Sequence, residues 1–123
     1  MREIALPTQL PPLTFTHNFG RFNDSFGVEN NVFEVVYLNK ELDQNYYSIR
    51  IKPVKYKLEF TEEKIAQFLK LNNGSEAIFS TWIEGFNILV FENNNWQYVL
   101  SVDKKNSEAV TKEVLVEIAN SIK

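Results

Sequence analysis

The sequence contains no cysteine. That absence excludes disulfide staples, thiolate metal sites and cysteine nucleophiles together, while leaving the compartment open. Histidine is almost as scarce. His17 is the only one in 123 residues, so a histidine cluster cannot hold a metal and a catalytic triad would have to be built around this one side chain. It stands between Thr16 and Asn18 at an expected strand end, where an ordinary surface role explains it. The four glycines, Gly20, Gly27, Gly74 and Gly85, are scattered singly, which excludes a glycine-rich phosphate loop. Positive charge is in deficit: 13 lysines and arginines face 16 acids, a net charge of −3, so no global positive field gathers nucleic-acid phosphates. No run approaches the ~20 apolar residues that span a bilayer, and the opening Met1-Arg2-Glu3-Ile4-Ala5-Leu6-Pro7 lacks the apolar core of a signal peptide.

What is present is core-forming material. Apolar residues make up 44% of the chain and aromatics 14%, enough buried surface to offset the entropy of ordering one domain over residues 1–123. Pro7, Pro11 and Pro12 keep residues 1–12 out of helix and predict an extended arm laid across that domain. A short strand is expected at Leu13–His17, followed by a loop whose aromatics Phe19, Phe22 and Phe26 join Phe15 in plugging the core edge. Val32–Leu38 is apolar on both parities and predicts a strand flanked on both sides, and residues 39–45 form a polar connection.

In the next stretch Tyr47, Ile49 and Ile51 alternate with Ser48, Arg50 and Lys52, the first set inward and the second outward. After Pro53 the apolar parity switches to Val54, Tyr56, Leu58 and Phe60, which requires a bulge or turn at Lys52-Pro53. The segment TEEKIAQFLKLNNG predicts a short helix capped by Thr61, with Glu62 and Glu63 at its positive end and Ile65, Phe68 and Leu69 on one face. Ala77–Thr81 reads as a short strand. Two β-rich runs around Asn93-Asn94-Asn95 then read as a hairpin, since asparagine reaches positive φ readily. Thr111 opens a last helix with Val114, Leu115, Ile118, Ala119 and Ile122 on one stripe, which has only the apolar side of the sheet to pack on. The expected fold is therefore α+β: a single antiparallel sheet packed against a C-terminal helix, with one additional short helix.

Chemistry is harder to find. Glu62-Glu63 sit where a helix dipole attracts acids, and Glu113 with Glu117 form a like-charged pair on a solvent face, so neither pair needs hydrolysis to explain it. Asn23-Asp24-Ser25 and Asn73-Gly74-Ser75 match the glycosylation pattern, as chance allows in an asparagine-rich chain. The candidate binding surface is basic: Arg50, Lys52, Lys55 and Lys57, with Tyr46 beside them, suit an acidic protein or an anionic envelope component. The alternative is a solvated strand face whose lysines block edge pairing. Trp82, Phe86, Trp96 and Tyr98 either line a pocket between sheet and helix or belong to the core. No cofactor is implied.

Leu6-Pro7, Leu10-Pro11, the turn from Gly74 to Ala77, the strand from Trp96 to Leu100 and the closing Ile118-Ala119-Asn120-Ser121-Ile122 together resemble a domain of unknown function that recurs in Gram-positive bacteria. That domain lies at the extracytoplasmic C-terminal end of membrane-tethered proteins, some similar to anti-sigma factors and some to lipoprotein-sorting proteins. Its Leu-Pro-x-Gly-Tyr turn is replaced here by LPPLTF. The matching residues are packing positions, so the resemblance implies no catalytic residue. It implies a non-catalytic cell-envelope domain that binds or senses a protein or ligand on its sheet. The address is extracytoplasmic if a membrane-proximal segment precedes this stretch, and cytoplasmic otherwise. The alternatives are a small intracellular protein-interaction protein of a mobile element, or a carboxylate-dependent hydrolase.

Overall fold

Asn94 and Asn95 adopt φ of 51° and 71°, the pair of positive values that a two-residue hairpin turn requires. They join β6 (Phe86–Asn93) to β7 (Trp96–Asp103), whose register runs from Asn93 opposite Trp96 to Phe86 opposite Asp103. This hairpin is the expected one, and it forms the middle of the sheet. A computed structural model describes residues 4–23 and 32–122, with residues 21–23 and 32 described by their backbone.

Around the hairpin lie β1 (His17–Asn23), β2 (Val32–Leu38), β3 (Tyr46–Pro53), β4 (Gln67–Lys70) and β5 (Glu76–Ser80). The seven strands form one sheet in the order β1-β2-β3-β7-β6-β5-β4, with every neighbouring pair antiparallel. The helix α1 (Lys112–Asn120) is the only α-helix among the described residues. Its N-terminus is closed by Thr111, whose hydroxyl accepts the Val114 N–H at 3.2 Å. Leu115 and Ile118 are fully buried and Ala119 nearly so, packed with Tyr47, Ile49, Ile51, Leu89, Tyr98, Leu100 and Val102. The expected stripe therefore meets one face of the sheet.

The N-terminal arm crosses that same side. The Tyr98 hydroxyl donates to the Ala5 carbonyl at 2.6 Å, and the Thr8 and Gln9 N–H groups both reach the Ser121 hydroxyl. Pro11 is buried, and Ile4, Leu13 and Phe15 pack on the core. The prolines thus produce an extended strap tied to the far end of α1.

Two expectations fail, and a third reading is decided between its alternatives. The segment after Thr61 is not a helix: a 3₁₀ turn spans Glu62–Lys64 and β4 follows at Gln67–Lys70. Ile65, Phe68 and Leu69 satisfy a helical spacing, but pairing of Phe68 with Ile78 and Leu69 with Ala77 sends Phe68 and Leu69 to opposite faces. The Thr61 hydroxyl bonds the Glu63 carboxylate at 3.1 Å and caps no backbone group. Next, the early strand begins at His17 rather than ending there, and the expected loop is the strand β1. Phe15 does pack on the core, whereas Phe19 is 46% exposed on an edge strand; the side chain of Phe22 and all of Phe26 lie outside what is described. Finally, Trp82, Phe86, Trp96 and Tyr98 share no pocket, and the core reading holds for all but Trp82. Trp96 and Tyr98 face the helix side, Phe86 packs on the opposite face, and Trp82 is 59% exposed in the β5–β6 connection.

Candidate functional site

Among the described residues no α-helix lies over the face of the sheet away from α1. Cross-strand register defines its floor: Ser48 lies opposite Ser101, which lies opposite Ile88, and in the next row Arg50 lies opposite Val99, which lies opposite Val90. Ile88, Val90 and Val99 are buried here, with Phe60, Ile78 and Phe86 packed on them as a second, smaller cluster. The cover is a strap of chain running from the 3₁₀ turn Val54–Tyr56 to Phe60. Pro53 ends β3, because a proline has no N–H to continue the ladder, and the Val54 N–H turns instead to the Asn95 carbonyl at 3.0 Å. The parity switch after Pro53 is therefore a change from strand to strap.

Buried Gln97 fixes the strap. Its side-chain carbonyl accepts the Leu58 N–H and its amide donates to the Leu58 carbonyl, both at 2.9 Å. Lys57, next along, donates to the Glu92 carboxylate at 2.9 Å, and that hydrogen bond raises the lysine pKa above its ordinary value.

A groove lies on each side of this strap. The first, of about 140 Å³, has Ile88, Val99 and Ser101 beneath it, Leu58, Phe60 and Ile83 around it, and Arg50 and Lys52 at its side. It continues past Arg50 and Ile83 towards Tyr46, Ser48 and Phe86. The second, of about 360 Å³, lies between the strap and the β4–β5 edge and is lined by Phe68, Ile78 and Val90 with Lys57, Glu59, Glu76 and Glu92.

The five residues singled out from sequence are thereby separated. Arg50 and Lys52 line the first groove, and Arg50 lies 3.9 Å from Glu34 on the adjacent strand. Tyr46 closes the end of that groove, packed edge-on against Phe86 at 5.6 Å. Lys55 lies outside the grooves, its ammonium 5.6 Å from the Tyr56 ring centroid, and Lys57 is occupied by Glu92. The apolar wall residues Leu58 and Ile83 escaped sequence reasoning. Leu58 did belong to the switched parity after Pro53, but nothing local indicated that the segment would lie over a sheet.

Elsewhere, His17 is exposed at the start of β1 with its Nδ1 2.8 Å from the Thr16 hydroxyl. Glu62 and Glu63 are exposed in their turn, and Glu113 and Glu117 on the outer side of α1, where Glu117 accepts the Gln9 amide. Among the described residues, no group of three or more His, Asp or Glu is placed to hold a metal, and no helix is long and apolar enough to cross a membrane. Comparison of the chain with family models, with curated proteins and with solved structures finds no match.

Proposed function

We propose that this chain is a non-catalytic binding domain of the cell envelope, and that it holds an acidic protein segment on the open face of its sheet. The observation that carries the reading is the first groove, where two cations stand beside an apolar floor between Leu58, Phe60 and Ile83. Enclosed small-molecule sites run to roughly 300–1,000 Å³. A groove of about 140 Å³ is below that range and suits the side chains of a macromolecular partner. Arg50 and Lys52 favour a carboxylate there. The envelope address is supported by the resemblance carried in the Leu-Pro arm and the closing helix, both of which are packing elements of this fold.

The test is capture from cell-envelope and cytosolic extracts on immobilised protein, comparing wild type, R50E/K52E and K55E/K57E. The expected result is an envelope protein retained by wild type and K55E/K57E and lost from R50E/K52E. Equal retention by all three, or retention from the cytosolic extract alone, contradicts the reading. Hydrolase turnover abolished by Glu62→Gln contradicts its non-catalytic part.

A further inference from the structure

The two grooves carry opposite charge. Arg50 and Lys52 line the first, with Glu34 where it continues past Arg50. At the second, Glu59, Glu76 and Glu92 outnumber Lys57. The strap at Leu58 and Phe60 runs between them, and both residues line both grooves. Apolar exposure gathers at the same place. Leu58 (47%), Phe68 (54%) and Ile83 (45%) line the grooves, and Trp82 (59%) adjoins Ile83, with the Lys64 ammonium 5.8 Å from its ring centroid. A surface that is apolar at its centre, with cations on one side of a line and mostly carboxylates on the other, is complementary to itself.

We infer that the acidic segment taken up by the first groove belongs to a second copy of this chain, so that the domain forms a two-fold dimer through its open face. A two-fold axis through the strap brings the Arg50–Lys52 groove of each copy over the Glu59–Glu76 groove of the other, and buries Leu58 and Ile83 between them. Such an isologous contact satisfies both charge sets at once, which a uniformly acidic partner cannot do. The inference rests on the binding reading above and names the partner of the same site. The carboxylates of Glu59, Glu76 and Glu92 on the same face also disfavour an anionic bilayer.

Sedimentation equilibrium of the full chain over micromolar to near-millimolar concentration tests this. Wild type dimerises. R50E/K52E makes both grooves acidic and E59K/E76K makes both basic, so each alone associates at least about tenfold more weakly. An equimolar mixture of the two restores a dimer containing one of each, since every acidic groove then faces a basic one. I83K, at an exposed loop position that folding tolerates, also weakens association and guards against misfolding of the reversed variants. A wild type that stays monomeric throughout, a dimer indifferent to the reversals, or a mixture that does not re-associate overturns the inference. A monomeric wild type that still captures an envelope protein through Arg50 and Lys52 removes the dimer alone and leaves the binding reading standing.

Discussion

Gln97 and Leu58, 39 residues apart in sequence, exchange two hydrogen bonds of 2.9 Å, side chain to backbone in both directions. This amide clamp is what divides the open face into two grooves. In Gln97→Leu the Leu58 N–H and carbonyl turn to water, because Leu58 lies at the surface. We expect a stability loss of only about 1–2 kcal/mol by denaturant titration. Amide hydrogen exchange at Leu58 should rise sharply in the same variant while β6 and β7 stay protected; unchanged exchange there would mean that the apolar contacts of Phe60 hold the strap unaided.

Two buried tyrosines form a matched pair. The Tyr98 hydroxyl donates to Ala5, whereas the Tyr47 hydroxyl is buried without a hydrogen-bond partner among the described residues. Tyr98→Phe should therefore cost about 1 kcal/mol and loosen the arm, while Tyr47→Phe should be neutral or stabilising by up to about 1 kcal/mol. Chemical denaturation of the two variants side by side checks the contrast.

The same residues set an alkaline limit. Burial raises the pKa of both, and for Tyr47 the neighbouring Tyr37 raises it further. The folded chain therefore keeps protons that the unfolded chain releases near the ordinary tyrosine value of about 10. Stability is whole below that pH and falls as pH rises above it. Tyr47→Phe should flatten this decline more than Tyr98→Phe, because the Tyr47 shift is the larger, as measured by melting temperature across the alkaline range.

Turn chemistry supplies a local test. Asn95 has φ of 71°, so Asn95→Gly should be tolerated or slightly stabilising, and Asn95→Val should cost roughly 1–2 kcal/mol. Equal stability of the two variants would show that the hairpin does not depend on this turn.

Core and capping respond on different scales. Leu115→Ala removes a fully buried side chain between α1 and the sheet and should cost about 2–5 kcal/mol, whereas Thr111→Ala removes one cap and should cost about 1 kcal/mol. A small loss at Leu115 would contradict the packing of α1 on the sheet.

Where the sequence was legible, strong local signals agreed with the tertiary outcome. Alternation in β3, the break at Pro53, the asparagine turn and the stripe of α1 each have a physical cause within a few residues. Where it misled, a weak local pattern was overruled by strand pairing. Ile65, Phe68 and Leu69 give too short a stripe to hold a helix, and four residues paired with β5 decide the matter. In β1 the residues from His17 to Gly20 are exposed, Phe19 on the sheet edge among them, so no inward side marked that stretch as strand. The candidate site follows the same division. Arg50 and Lys52 were visible as the outward side of β3, but their neighbours Leu58 and Ile83 come from a strap and a loop whose placement is tertiary. Pairing of Lys57 with Glu92, 35 residues away, carried no local sign either.

The central claim is that two copies of this chain meet through the open face, and not through the helix side. Amide hydrogen exchange of the wild-type chain, compared between dilute and concentrated solution, tests it most directly. Concentration-dependent protection is expected over the strap around Leu58, the loop around Ile83 and the β4–β5 edge around Phe68 and Glu76, with α1 and the N-terminal arm unchanged. Protection that falls on α1 or the arm, or that does not vary with concentration anywhere, would contradict it.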